Sequence, residues 1–316
     1  MASDKEDTSQ APAERESGHP GGRLADMVRL ARPRHWVKNG IVLLPVIFAR
    51  RMADPAAWGR ALVAAAAFCL GSSAVYAVND ALDRREDRAH PLKKDRPVAA
   101  GRISPRAAVL QGTVLALLSL VVAFAAAPGA ALVLLAYLVL QVAYSVALKQ
   151  VMILDVIVIA LGFVLRASAG AVAIRVTVSP WLVVCAFTVC LFMGFCKRRT
   201  EVATLEEHGN AADHRRTLQG YTPELLLHLI TLSAGVSIVS YLAYATSPRT
   251  VEQFGTSYLA YMLPVVVYGV CRFAMLSIEA RYPGPTELIL RDRPFQIAVA
   301  LWIALAAIVV LWGGAL

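Results

Sequence analysis

Apolar runs close to the length of a bilayer crossing recur along almost the whole chain, at roughly 38–50, 60–82, 105–127, 129–148, 151–174, 180–196, 223–246, 257–280 and 294–313. A hydrocarbon layer of about 30 Å needs about 20 helical residues to cross it, so the pattern predicts about nine transmembrane helices, the first of them short. The chain is 58% hydrophobic and only 17% charged, with a mean hydropathy of +0.58. That composition lies well outside the range of a soluble globular domain. The expected fold class is all-α, an integral membrane bundle with no sheet.

The polar segments set its orientation. Residues 1–25, "MASDKEDTSQAPAERESGHPGGRLA", lack the apolar centre of a signal peptide and read as a disordered cytoplasmic tail, leaving 26–316 as the membrane domain. With that tail inside, the N-terminal segment ahead of the first span and the inner loops near 83–106, 149, 197–221 and 281–293 together carry about 24 of the 31 Lys and Arg. The outer loops carry few: Arg50, Arg51, Arg60, Arg175 and Arg249. This asymmetry places the long polar loops in the cytoplasm of a cell whose inner membrane the chain spans several times. It also accounts for the net charge of +9 through attraction to anionic lipid, with no nucleic-acid partner required. The five cysteines fall in apolar runs without a C-x-x-C pair and read as reduced packing residues. Small residues at 71–74 and 167–171 allow close helix approach.

The inner loop that opens at Asn79, "NDALDRREDRAHPLKKDRPVAAG", gathers carboxylates and cations in a short space. Continued as a helix at about 100° per residue, it places Asn79, Asp80, Asp83 and Asp87 on one face. Like charges at that spacing repel unless a cation sits among them. A hard divalent ion such as Mg²⁺ suits them, and Mg²⁺ commonly completes its shell with substrate phosphate, so the pattern implies a phosphorylated ligand as well as a metal. Lys93, Lys94 and Arg96 follow, where they could hold those phosphates. Solvated pairing of the acids with Arg84, Arg85 and Arg88 is the plainer alternative. His90-Pro91 is expected to end the helix.

N-D-x-x-D-x-x-x-D followed by H-P-x-K-x-x-R-P-x-A-x-G resembles the first Asp-rich motif of the UbiA superfamily of intramembrane prenyltransferases. Within it, "RPRHWVKN", "YLVLQVAYSVALKQVMILDV", "LRASAGAVA", "KRRTE" and "LRDR" look like the decaprenyl-phosphate phosphoribosyltransferase branch. The resemblance runs from about residue 29 to the end. It implies a bundle around a central cavity open to the cytoplasm and laterally to lipid, and Mg²⁺-dependent transfer of the 5-phosphoribosyl group of phosphoribosyl pyrophosphate to a polyprenyl phosphate such as decaprenyl phosphate. Pyrophosphate would be released and the product would feed cell-wall arabinan-type precursors. Where aromatic prenyltransferases of the superfamily carry a second Asp-rich motif, this chain has Lys197, Arg198 and Glu201, with Asp213 farther on, so direct cationic contacts are expected to replace part of the metal-mediated ones. The donor rests on the resemblance alone, since no soluble-type phosphoribosyl pyrophosphate fingerprint is present.

Other polar residues join the candidate site. Arg166 lies mid-span, where a charge normally faces a polar interior; a phosphate is the expected partner and Asp155 the alternative. Lys149 and Lys38 are ordinary interfacial cations on their own and ligand-facing by the resemblance, with Arg34 and Trp36 beside Lys38. Tyr76, one turn before Asp80, and the neighbours Gln141 and Tyr144 complete the substrate-binding candidates, or else satisfy buried contacts. Glu287, Arg291, Asp292 and Arg293 read as an ion-paired inner loop.

In the expected reaction Asp80, Asp83 and Asp87 carry the catalytic metal, and the polyprenyl phosphate attacks the anomeric carbon from the face opposite the departing pyrophosphate. The partners are then phosphoribosyl pyrophosphate, polyprenyl phosphate and membrane lipid, with a homo-oligomer left open. Two rivals share the motif: a prenyltransferase that moves a polyprenyl group from its pyrophosphate to an aromatic or other acceptor, and a carrier of phosphorylated lipid without chemistry. The spans show no obvious inverted repeat of the carrier kind.

Overall fold

The computed structural model describes residues 22–89, 93–208 and 220–312. Among them there is no strand, and eight helical spans are long and apolar enough to cross a membrane. The chain is a multi-pass, all-α membrane protein. In order the helices are α1 (Arg23–Ala31), α2 (Leu44–Phe48), α3 (Pro55–Leu82), α4 (Arg84–Ala89), α5 (Pro105–Ala126), α6 (Pro128–Val146), α7 (Leu154–Ala173) and α8 (Pro180–His208). They continue with α9 (Pro223–Thr246), α10 (Pro248–Phe254), α11 (Leu263–Ile278), α12 (Pro285–Arg291) and α13 (Arg293–Trp312).

The starts of these helices follow from local chemistry. Proline lacks the N–H that a first turn leaves unpaired, and an oxygen-bearing side chain just before it accepts one of the remaining amides. Asp54, Ser104, Thr222 and Ser247 each precede a proline and accept from the backbone amides of Ala57, Ala107, Leu225 and Thr250. They start α3, α5, α9 and α10.

The first expected span takes a different form. Residues Pro33–Leu43 wind as a 3₁₀ helix and only Leu44–Phe48 as α-helix. Pro33 and Pro45 each remove a donor from the α ladder, which explains the break. Arg23, Leu24 and Ala25, assigned to the tail by composition, belong to α1. Residues 1–21, the His90-Pro91 turn and Asp213 lie outside the described residues.

Two helices are enclosed and the rest surround them. In α3 56% of the apolar window is buried and in α7 61%, against 22% in α5, α11 and α13. They carry the buried charges Asp80, Asp155 and Arg166. Ala64, Ala67 and Phe68 of α3 meet Ala123 of α5, Leu134 and Tyr137 of α6 and Ala169 of α7 in one cluster, the small side chains allowing close approach. The outer faces of α5, α6 and α13 expose Leu110, Val121, Phe124, Leu132, Val139 and Ile297, as lipid requires.

Candidate active site

The Asp-rich motif does not continue as one helix. α3 stops at Leu82, Asp83 caps it with φ near −86° and ψ near 8°, and α4 restarts at Arg84. The four expected metal ligands are therefore divided between three sets of partners, which corrects the single-face reading. Asp80, only 2% exposed, pairs with Arg32 and meets Arg96 at 3.4 Å. Asp87 returns to the same arginine, with Arg96 Nη1 at 2.6 Å from its Oδ2. Asp83 pairs with Lys149 at the end of α6, and the Asn79 amide oxygen accepts from the Ser145 hydroxyl. The physical reason is the repulsion that the pattern itself carries: each carboxylate turns to a nearby cation instead of to its neighbours.

Cations from four stretches of chain face a common centre. Arg32 is the left-handed cap of α1 at φ 51°, and its guanidinium lies 4.9 Å from the Tyr76 ring centroid. His35 packs 5.6 Å from the same ring. Burial, then the charges of Lys38, Arg32, Lys197 and Arg96, lower the imidazole to about 4, so it is neutral at neutral pH. Burial, then Lys197 and Arg166, press the Lys38 ammonium down to about 8. Lys38 belongs to the 3₁₀ segment, outside the eight spans. Glu287 of α12 is the carboxylate whose field opposes that shift.

A second polar group lies between α6, α7 and α8. Arg198, 2% exposed, reaches Asp155 with Nε at 2.7 Å, pairs with Glu201 and donates to the Tyr144 hydroxyl at 3.3 Å. Lys197 meets Glu201 at 3.5 Å. Tyr221 donates to Asp155 at 2.8 Å. Lys93 stands half-buried in the loop that supplies Arg96.

Arg166 does not pair with Asp155, which Arg198 has taken. Its Nε donates to Asn39 at 2.8 Å, Nη1 to the Gly162 carbonyl at 3.0 Å and Nη2 to the Tyr137 hydroxyl at 2.8 Å. Gln141 lies beside it: a Cβ on Gly162 would stand 2.9 Å from Gln141 Nε2 and 3.5 Å from Arg166 Nη1. In the last inner loop the ion pair is Asp292 with Arg272 of α11, at 2.9 and 3.2 Å.

An apolar chamber of about 610 Å³ lies among α2, α8, α9, α11 and α13. Trp181 and Arg249 lie towards one end of it, and Met193, Phe273 and Phe295 towards the other. Ile41 and Met193 line it, three and four residues from Lys38 and Lys197, and that spacing puts each cation on the same side of its helical segment as the chamber residue. Composition and spacing could not reveal this chamber, because it depends on which helix faces meet. Arg32, His35, Asn39 and Tyr137 were likewise missed; the Arg-Pro pair at 32–33 was the available sign of a turn that frees an arginine.

Among the described residues no three His, Cys, Asp or Glu side chains gather at metal-binding distance. Asp80 and Asp87 nevertheless share one guanidinium, so a single cation is within reach of both carboxylates. That fits Mg²⁺, which binds through one or two carboxylates and substrate phosphate.

Comparison with known proteins agrees with this fold. The model of the UbiA prenyltransferase family matches residues 42–286. A decaprenyl-phosphate phosphoribosyltransferase of Mycolicibacterium smegmatis is 34% identical over 91% of this chain and 93% of its own. One from Mycobacterium tuberculosis is 33% identical over 93% and 97%. The structure of a UbiA homolog from Archaeoglobus fulgidus bound to GPP and Mg²⁺ superposes with a TM-score of 0.66 at 22% identity, covering 90% of this chain and 99% of that one. The chain belongs to the UbiA prenyltransferase family.

Proposed function

We propose that the chain is a membrane phosphoribosyltransferase that moves the 5-phosphoribosyl group of phosphoribosyl pyrophosphate onto a polyprenyl phosphate and releases pyrophosphate. The reading is supported by an apolar chamber whose lining residues Ile41 and Met193 each stand about one helical turn from a cation of the basic centre, Lys38 and Lys197. A substrate pair with several phosphates and one isoprenoid tail matches both halves. The names of relatives about a third identical over most of their length support this pair over others of the same chemistry.

Asp80 and Asp87 would hold Mg²⁺, with Asp83 and Asn79 close by in the motif. When bound, the ion would neutralise charge gathering on the departing pyrophosphate. Lys38, Arg32, Arg96 and Lys197 would bind and orient the two anions, placing the lipid phosphate behind the anomeric carbon. Positive charge grows on that carbon as its bond to pyrophosphate loosens, and attack from the opposite face inverts its configuration. The acceptor phosphate is already ionised near neutral pH, so no general base is required, in keeping with a His35 ringed by cations. By the positive-inside rule the Asp-rich end faces the cytoplasm.

The test follows ribose label from phosphoribosyl pyrophosphate into the organic phase, using purified protein, Mg²⁺ and decaprenyl phosphate. Label in lipid that is lost with EDTA is the expected result. Failure of transfer, with product formed from a prenyl pyrophosphate and an aromatic acceptor, would leave the family intact and overturn the reaction.

A further inference from the structure

The short connection from Lys149 to Asp155 joins the two ion pairs of the site. Lys149, in the 3₁₀ turn Leu148–Gln150, pairs with Asp83 of the Asp-rich motif. Asp155, in the first turn of α7, holds Arg198 of α8. Between them the backbone reverses at Ile153, with φ 68° and ψ −45°, and the turn is closed by the Leu154 N–H donating to the Met152 carbonyl at 2.8 Å. This is a γ-turn with positive φ, a rare and strained conformation. A β-branched side chain suits it least.

Such a turn persists only where its surroundings fix it. The Ile153 N–H donates to the Tyr221 hydroxyl at 2.7 Å, and the same hydroxyl donates to Asp155 Oδ1 at 2.8 Å. Tyr221 is 3% exposed, with its ring in the cluster of Val156, Leu226 and Ile230. Burial pushes its phenol upward from the ordinary value, so the hydroxyl keeps the proton that it gives to Asp155. One oxygen thus fastens the strained turn to the carboxylate that holds Arg198.

We infer that Tyr221 is a positioning residue of this site: its hydroxyl holds the Ile153 turn shut and thereby sets Lys149 and Arg198 at the spacing that a phosphorylated ligand requires. The inference rests on the reading of the site given above. Without the hydroxyl the Ile153 N–H loses its acceptor and the turn can relax to negative φ, which lengthens the connection and draws Lys149 out of register. Glycine adopts positive φ at no steric cost. A glycine at 153 therefore removes the strain that makes the hydroxyl necessary.

The experiment compares wild type, Tyr221→Phe, Ile153→Gly and the double variant, each as the full chain in detergent with Mg²⁺. Inorganic pyrophosphate binding is measured by calorimetry, and KM for phosphoribosyl pyrophosphate is measured separately from kcat. Tyr221→Phe should raise Kd and KM roughly fivefold, the scale of one hydrogen bond, with kcat largely kept. The double variant should return most of that loss. Unchanged Kd and KM in Tyr221→Phe, or a loss that Ile153→Gly does not repair, overturns the positioning role. If wild type forms no labelled lipid but its pyrophosphate affinity follows this pattern, the role of Tyr221 stands and the reaction assigned above fails. If label transfers and Tyr221→Phe matches wild type, the reaction stands and the role fails.

Discussion

Gly170 of α7 lies directly against the Val42 carbonyl: a Cβ at Gly170 would stand 2.0 Å from that oxygen and 2.9 Å from its carbon. The obstructing atoms are backbone and cannot rotate aside. Gly170→Ala therefore has to push the 3₁₀ segment that carries His35, Lys38 and Asn39 away from the enclosed helix. Overpacking of this kind costs roughly 1–3 kcal/mol, and backbone contact places this case at the upper end. Thermal unfolding in detergent should shift down accordingly, and pyrophosphate binding should weaken with it. An unchanged midpoint would mean that the contact has slack.

Arg166 is held on three sides by Asn39, the Gly162 carbonyl and Tyr137, with its guanidinium 4.6 Å from the Tyr137 ring centroid. Arg166→Met leaves the Asn39 and Tyr137 oxygens buried without their donor, at roughly 1–3 kcal/mol for each orphaned group. The expected outcome is a marked fall in stability, with pyrophosphate affinity per folded molecule reduced far less than by loss of Lys38. Normal stability with lost affinity would instead make Arg166 a ligand group.

What the sequence disclosed and what it withheld divide along physical lines. The spans were legible because lipid demands long apolar runs, while the start of α3 at Pro55, five residues before the apolar run read at about 60, is set by the Asp54 cap rather than by hydropathy. The Asp-rich motif was found, but its geometry was not, since a helix wheel cannot foresee that α3 ends at Asp83. Lys149, Arg198 and Glu201 stood out in the sequence as candidates, while the pairings of Lys149 with Asp83 and of Arg198 with Asp155 and Tyr144 are set by tertiary packing. Arg32 escaped notice because a residue 48 positions from Asp80 meets it only once α1 lies across α3.

Lys38 offers a pH test. With its ammonium lowered to about 8, it is charged below that pH and neutral above it, so its attraction for an anion is present near neutrality and lost as pH rises. If the charged form alone binds, affinity for pyrophosphate without Mg²⁺ should fall by roughly tenfold from about pH 7 to about pH 9, following the protonated fraction. Lys38→Arg stays charged across that window and should lack this component. The ionisation of pyrophosphate is common to both proteins, so the ratio of their affinities isolates Lys38. A ratio that does not change with pH would remove it from the binding centre.

Asp80 and Asp87 share Arg96, and this sets the expected response to loss of charge at either. Asp80→Asn keeps the shape of the side chain but leaves Arg32 facing a neutral amide in a buried position, while Arg96 retains Asp87. Two effects should separate. Without metal the protein loses stability, because Arg32 has lost its counter-charge and Arg96 keeps only Asp87. With substrate, transfer should fall by about 100-fold, the scale of a removed electrostatic contact at developing charge, and the Mg²⁺ concentration for half activity should rise. Asp54→Asn, at a helix cap on the far end of α3, is the control: it should change neither the Mg²⁺ dependence nor pyrophosphate binding. Equal Mg²⁺ dependence in Asp80→Asn and wild type would place the metal elsewhere than on Asp80.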